Sequence, residues 1–535
     1  MIWCTICLLG ALPVADGPRA LQSSVSPVPT RAGGPPASPP PKSRGRARFV
    51  NGVHGPGTGP SGDLWVDGGL FVDGPLPDAE VVDLHGGFVV RGFADAHAHV
   101  AGLGRALEVV DLVGAGSWAE CVERVRARLS GSSAAWLLGR GWDQNDWPGQ
   151  GFPDRAALDA AFPGVPIVLT RVDGHALIAS SAALDAAGIS RAVEDPPGGR
   201  WLRRADGDLT GVAVDAAMAA LERAVPKASA ADRERWLLRA FRELVALGLT
   251  AVHDMGMDRE TLDVLRALDQ AARVPLRVYV YTDGLLEGVG PGGALPDGRV
   301  RVVGVKLFAD GALGSRGAAL LAPYHDEASH TGLLQMGPEA LHEALEAIRA
   351  RGLQPAIHAI GDRAVRVALD ALAAGERVEH AQVVAPEDIS RFASKRIWAS
   401  MQPVHQTSDM PWAEARLGGD RVRGAYAWKT LHDAGARLAF GTDFPVESPD
   451  PRVTLWAAVS RAPRGGGPAW YPEERLSREV ALAAMTSGAA AAVGEERPLA
   501  DFVVFDKNLL TVPIDDVLAA RVLRVVVGGV TVFPE

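Results

Sequence analysis

Disulfides cannot organise this chain. Three cysteines in 535 residues are too few for a disulfide framework. Two of them, Cys4 and Cys7, form a lone C-x-x-C close to the start, and a zinc ribbon needs a second such pair. Long apolar runs are lacking as well: none reaches the roughly 20 residues that span a bilayer, so no membrane partner is expected. Positive charge is in deficit, with 54 Lys+Arg against 64 Asp+Glu and a formal net charge of −10. Nucleic acid would require the opposite balance, so no nucleic-acid partner is expected either. Apolar residues are not scarce, since 47% hydrophobic with 22% charged is globular composition and excludes wholesale disorder. Composition leaves self-association into a homo-oligomer open.

The first residues stand apart. Met1–Val14 has signal-peptide length but lacks a positive n-region, and the stretch that follows makes a poor cleavage site. Residues 17–48 are rich in Pro, Ser, Gly and Arg and almost free of acid, a composition that buries no core. Residues 1–48 are therefore read as a disordered leader or a spurious extension. The expected location is cytoplasmic, and the leader raises organelle targeting or secretion as alternatives.

From residue 49 short β-prone runs alternate with Gly, Pro and Asp turns, and the far C-terminus has the same character. Residues 49–88 plus 497–535 are expected to form one composite β-domain. Between them, short apolar strands alternate with amphipathic helices, the pattern of βαβ units and a parallel sheet. Residues 105–235 carry their own strands, helices and an aromatic turn, GWDQNDWPGQGF at 141–152, and read as an insertion. Setting them aside leaves eight strands over 89–104 plus 236–496, the number that closes a (β/α)8 barrel.

Chemistry-bearing residues recur at the ends of those strands. His97 and His99, two apart in an extended run, project to one side. Lys306 lies inside an apolar strand; His358, His380 and Asp443 end three more. A single strand-end histidine is more often a hydrogen-bonded core residue. Six such groups on strands one, four, five, six and eight would instead converge at the C-terminal mouth of a barrel, where active sites of this fold sit. Imidazoles with one carboxylate suit a divalent transition metal of the zinc type rather than the all-oxygen shell of calcium or magnesium.

These stretches resemble the amidohydrolase superfamily, and in detail its amidohydrolase 3 branch, with YtcJ-like and N-substituted formamide deformylase-like proteins. RGFADAHAH (91–99), GWDQNDWPGQGFP (141–153), GLTAVHDMG (248–256), GVKLFADGALGSR (304–316), AIHAIGDRA (356–364), RVEHAQ (377–382), MQPVHQTSD (401–409) and GTDFPVES (441–448) carry the likeness. RVDGHALIASSAALDAAGI (171–189) adds to it. The resemblance implies a distorted TIM barrel with a small composite β-sandwich, the insertion capping the barrel mouth, and hydrolysis of a non-peptide carbon–nitrogen bond by metal-activated water. Two departures are visible. Arg91 stands where the family usually has proline, and SGAAAAVGEERPLADFVVF (487–505) is a shortened form of the family's run into the returning sandwich strands.

On that reading one or two zinc-type ions are held by His97, His99, Lys306, His358, His380 and Asp443. Lys306 as a neutral amine could take up carbon dioxide as a bridging carbamate; the competing arrangement has one ion and an unmodified Lys306 polarising the substrate carbonyl. Asp443 is the expected proton acceptor and donor. His175, Trp142, Asp143, Trp147, His253, Asp254 and Arg316 are candidate contacts for a small-molecule amide-type substrate. The alternatives are a non-catalytic regulatory or binding protein on the same fold, and a hydrolase of cyclic amides, amines or esters.

Overall fold

The computed structural model describes residues 45–55, 62–129, 136–144, 147–149, 151–171, 176–293 and 298–534. Its described residues divide into two compact units, one within residues 45–98 and 243–534 and one within residues 99–242. Among the described residues no helix is long and apolar enough to cross a membrane.

The larger unit contains a parallel barrel whose strands we number in chain order: β1 Phe93–Ala98, β2 Leu249–Met257, β3 Arg277–Thr282, β4 Val300–Phe308, β5 Gln354–Ala359, β6 Arg377–His380, β7 Trp398–Met401 and β8 Arg437–Phe440. They pair in sequence order from β1 to β8. Strands β1, β3 and β6 are buried at every position, as expected where a parallel sheet is covered on both faces. Their helices start at recognisable signals. Asp258 caps Arg259–Gln270 by accepting from Thr261 N at 2.6 Å, and proline opens Pro338–Ala350, Pro386–Ser394 and Pro451–Ser460.

Closure of the barrel is a seam rather than a ladder. Between β8 and β1 the backbone contributes an isolated parallel bridge, Ala98 to Phe444, and the bond from Asp443 N to His97 O at 2.7 Å. Asp95 completes the seam: its carboxylate accepts from Thr442 N at 3.0 Å and Thr442 Oγ1 at 2.6 Å. Gly441 permits this approach, because a Cβ there would run into His97 N and the Asp95 carboxylate.

Two small sheets form the β-sandwich. One pairs Ala47–Val50, Leu64–Asp67, Leu70–Val72 and Glu80–Asp83; the other pairs Val53–His54, Phe88–Arg91, Phe502–Phe505, Val522–Val527 and Val530–Phe533. Phe49 of the first meets Phe502 of the second edge to face at 4.8 Å, within a core shared by both sheets. Two expected boundaries move. The first strand opens at Ala47, inside the expected leader, and the barrel starts at Phe93 rather than at residue 89. Phe88–Arg91 pairs with Phe502–Phe505 in the sandwich, and the chain turns at Gly92 before β1. Residues 1–44 of the expected leader lie outside the described residues.

The shortened C-terminal segment packs fully. Helix Ser487–Ala492 puts Ala489 and Ala492 into a core cluster with Ala94, Ala96 and Ala251 of the barrel. Ala492 and Val493 carbonyls accept from Gln354 Nε2 at 3.0 Å and Arg301 Nη2 at 2.6 Å. The next residues tie barrel to sandwich: Asp501 accepts from Arg277 Nε at 2.6 Å and from Gly528 N at 2.7 Å.

The smaller unit has a six-stranded sheet, ordered in space Gly199–Arg203, Leu209–Asp215, Ala176–Ala179, Ile167–Arg171, Leu137–Trp142, Val110–Asp111. Alternation divides its strands between two cores. Ile167 and Leu169 join Trp142, Trp147 and the third cysteine, Cys121, on one face; Val168 joins Leu177, Trp201 and Leu221 on the other.

Candidate metal centre

Each of the strand-end motifs delivers its side chain by a local device. His97 is the fifth residue of β1 and nearly inaccessible. His380 closes β6 in a left-handed conformation (φ 70°), and Asp443 adopts φ 61° just past β8. Both depart from extended backbone where the strand must stop. The structure brings these three together: one donor atom from each of His97, His380 and Asp443 lies within 4.8 Å of the others. His97 Nε2 is 3.7 Å from Asp443 Oδ1, and the His97 and His380 rings are 4.7 Å apart.

Lys306 and His358 border this cluster. Lys306 Nζ donates to His97 Nε2 at 3.2 Å, and the His358 ring centroid is 4.5 Å from that of His380. His358 Nε2 also lies 3.5 Å from Asp310 Oδ1, whose carboxylate accepts three backbone N–H groups, from Ala319, Ile360 and Gly361. His99 follows β1 directly, half-buried, at the N-cap of helix Val100–Ala106.

Electrostatics keep the imidazoles neutral. Burial, with the Lys306 charge adding to it, pushes His97 down to about 4 and His358 down to about 3. Burial and then the neighbouring imidazoles hold His380 well below the ordinary histidine value. The tautomers follow from the partners. Glu379 Oε2 lies 2.6 Å from His97 Nδ1, and Gln402 Oε1 lies 2.8 Å from His380 Nδ1. Both partners are acceptors, so each Nδ1 carries the proton and each Nε2 keeps its lone pair. Neutral imidazole nitrogen with carboxylate oxygen is the donor set that zinc-type ions take, so the residues present fit a divalent transition metal.

Several residues essential to this arrangement carried no separate signal in the sequence. Glu379 was visible only as the neighbour of His380. Burial opposes its charge, but the Arg377 guanidinium and His97 outweigh it and hold the carboxyl below the usual range. His405, in the MQPVHQTSD stretch, reaches Asp443 Oδ2 at 3.4 Å and Glu447 Oε1 at 3.5 Å. Burial again opposes charge there, and the two carboxylates overcome it, lifting His405 to about 10. Asp95, buried beneath the seam, is pushed up to about 7 by burial. A helix-borne histidine such as His405, on Pro403–Asp409, escapes a search confined to strand ends.

The substrate-contact candidates fare differently. Trp142 and Trp147 belong to the core of the smaller unit, their rings 5.9 Å apart and their indole N–H groups donating to Leu169 O at 2.7 Å and Ala115 O at 2.8 Å. An aromatic turn buried this way supplies core to the smaller unit. Asp143 pairs with Arg171 at 3.3 Å. His253 and Asp254 do not follow the second strand; they lie within β2 and are buried. His253 accepts at Nδ1 from Arg377 Nη1 at 2.9 Å, so it is locked inside the barrel. Arg316, in the loop after β4, is engaged by Asp326 at 3.0 Å and Glu327 at 3.3 Å. His175 lies outside the described residues.

A parallel eight-stranded barrel with a histidine–aspartate cluster at its C-terminal strand ends, and a sandwich built from both chain termini, defines a metal-dependent hydrolase of the barrel type. The chain belongs to the amidohydrolase family, in its amidohydrolase 3 branch, whose model matches residues 80–533. It is 31% identical over 490 residues to the putative amidohydrolase YtcJ of Bacillus subtilis, covering 86% of this chain and 91% of that protein. It is 27% identical over 495 residues to an N-substituted formamide deformylase of Arthrobacter pascens, covering 85% and 90%. Among solved structures, an uncharacterized metal-dependent hydrolase from Pyrococcus horikoshii superposes with a TM-score of 0.74 at 28% identity, covering 88% of this chain and 99% of that one. The protein is a hydrolase.

Proposed function

We propose that this hydrolase cleaves a non-peptide carbon–nitrogen bond, of the amide or N-substituted formamide type, in a small molecule. The observation that carries this reading is the convergence of His97, His380 and Asp443 donors within 4.8 Å beside Lys306. The name of the Arthrobacter relative supports the choice of bond. His97 through Nε2, His380 and Asp443 would hold a zinc-type ion, with His99 and His358 as further imidazoles for one ion or a second. Such an ion supplies Lewis acidity, polarising a carbonyl and making a nucleophilic water available near neutral pH.

The chain's own groups do the rest. Asp443 takes a proton from the attacking water at a carboxylate oxygen and returns it to the departing nitrogen. His405, between Asp443 and Glu447, fixes the Asp443 carboxylate. Lys306 has two roles open to it. As an amine it can donate to the substrate carbonyl. As a nucleophile its neutral nitrogen could add to carbon dioxide, releasing one proton and giving an anionic carbamate that would offer oxygen donors to a zinc-type ion.

The test is metal content followed by a substrate panel. Elemental analysis should find one or two zinc-type ions per chain, two favouring the carbamate form of Lys306. N-substituted formamides and N-acyl amines should be hydrolysed, and Asp443→Asn should lower turnover at least about 100-fold, the scale of a lost general acid–base. Folded protein that takes up no zinc, or turnover confined to cyclic amides, amines or esters, would sink the reading.

A further inference from the structure

Arg377 and Glu379 are fully buried inside the barrel. Taking a guanidinium and a carboxylate out of water is costly, and apolar residues often stabilise such a position equally well. The pair therefore calls for an explanation beyond folding. Strand alternation puts both on one face of β6, pointing inward, while the next residue, His380, turns away at the strand end into the donor cluster.

Arg377 donates to Glu379 through Nε at 2.8 Å and Nη2 at 3.2 Å. Its remaining hydrogens reach Ala96 O at 2.7 Å, Ser400 Oγ at 2.8 Å and His253 Nδ1 at 2.9 Å. One guanidinium is thus fixed against β1, β2 and β7, and it fixes the carboxylate in turn. Glu379 Oε2, the oxygen that also accepts from Arg377 Nη2, meets His97 Nδ1 at 2.6 Å, and Lys306 donates to the opposite ring nitrogen.

We propose that Glu379 is a positioning residue for the metal centre, locking His97 as its Nδ1–H tautomer with Nε2 presented to the ion, and that Arg377 is the anchor that holds Glu379 in place. This rests on the metal-hydrolase reading above. The run Arg377-Val378-Glu379-His380 then carries two functions on one strand: His380 is itself a ligand, and Glu379 orients a ligand on the opposite side of the barrel. Any shift of β6 moves both imidazoles together. Gln402 does the corresponding service for His380 with a neutral oxygen, and the anionic partner belongs to His97, whose Nε2 lies 3.2 Å from Lys306 Nζ.

Zinc affinity of the full chain, measured by competition with a chromophoric chelator, tests this alongside the melting temperature of the metal-free protein. The variants are Glu379→Gln and the double substitution Arg377→Met with Glu379→Leu, which removes both buried charges at once. The double variant should bind zinc roughly 10–100-fold more weakly, as losing the partner of a ligand does, while remaining folded without metal. Glu379→Gln, which keeps a carbonyl acceptor, should fall between the two. Equal zinc affinity in wild type and the double variant overturns the proposal and leaves the metal-hydrolase reading standing. Wild type that binds no zinc overturns both. Should the double variant fail to fold, Glu379→Gln decides: unchanged affinity overturns the proposal, and weaker zinc binding by protein that is folded without metal supports it.

Discussion

His405 shows how much of the centre depends on a single buried charge. Its folded-state pKa of about 10 lies above the ordinary 6.5, so the stabilisation it lends is complete below pH 6.5 and is lost as pH rises through about 10. Metal-free protein should therefore lose stability between those limits, and His405→Gln should flatten that slope. Denaturation midpoints across the interval check this, and equal slopes in the two proteins would exclude the charged pair. Trp142 makes the opposite case. Fully buried and bonded to Leu169 O, it should cost about 3–5 kcal/mol on truncation to alanine, read by chemical denaturation, with zinc uptake unaltered. Residue chemistry was legible where type and position coincided, as at His97, His380 and Asp443. It was not legible where a residue acts through another: Glu379 reads as an ordinary strand carboxylate until the fold sets it across the barrel from His97.

At the scale of elements, apolar runs marked most of the barrel strands because parallel strands buried on both faces need no polar alternation, whereas β6, Arg377-Val378-Glu379-His380, stood out by its charged motif. The same uniformity concealed the break at Gly92. Phe88–Arg91 and β1 are both buried almost throughout, and their partners, Phe502–Phe505 on one side and β2 on the other, tell them apart. The C-terminal junction was obscure for a related reason. A short alanine helix looks like a deletion in sequence, yet its Ala489 and Ala492 pack directly against Ala94, Ala96 and Ala251 of the barrel. Its anchor is the ion pair of Arg277 with Asp501, both side chains 10% exposed. Asp501→Ala would leave the guanidinium buried and unpaired, a loss of about 3–5 kcal/mol measurable by urea denaturation. A loss below 1 kcal/mol would mean that the junction is held elsewhere.

For the larger unit as a whole, the candidate ligands lie on elements that the chain visits far apart, β1, the end of β6 and the residues after β8. That spacing has a mechanical consequence. Strands β1 through β8 are joined by continuous ladders, but the seam from β8 back to β1 has an isolated bridge, the Asp443–His97 backbone bond and the Asp95–Thr442 contacts. His97 and Asp443 stand on either side of that seam, so an ion held by both fastens the barrel where its hydrogen bonding is weakest. A ligand that binds only the folded state stabilises it by about 2.7 kcal/mol at 100 times its dissociation constant, and here the gain should be concentrated locally. Hydrogen exchange on chelated and zinc-loaded protein should show amides of residues 93–98 and 437–444 slowing on metal addition much more than those of β4, which is paired on both edges. Uniform slowing would mean the ion acts on global stability alone, and no change at the seam would place it elsewhere than between His97 and Asp443.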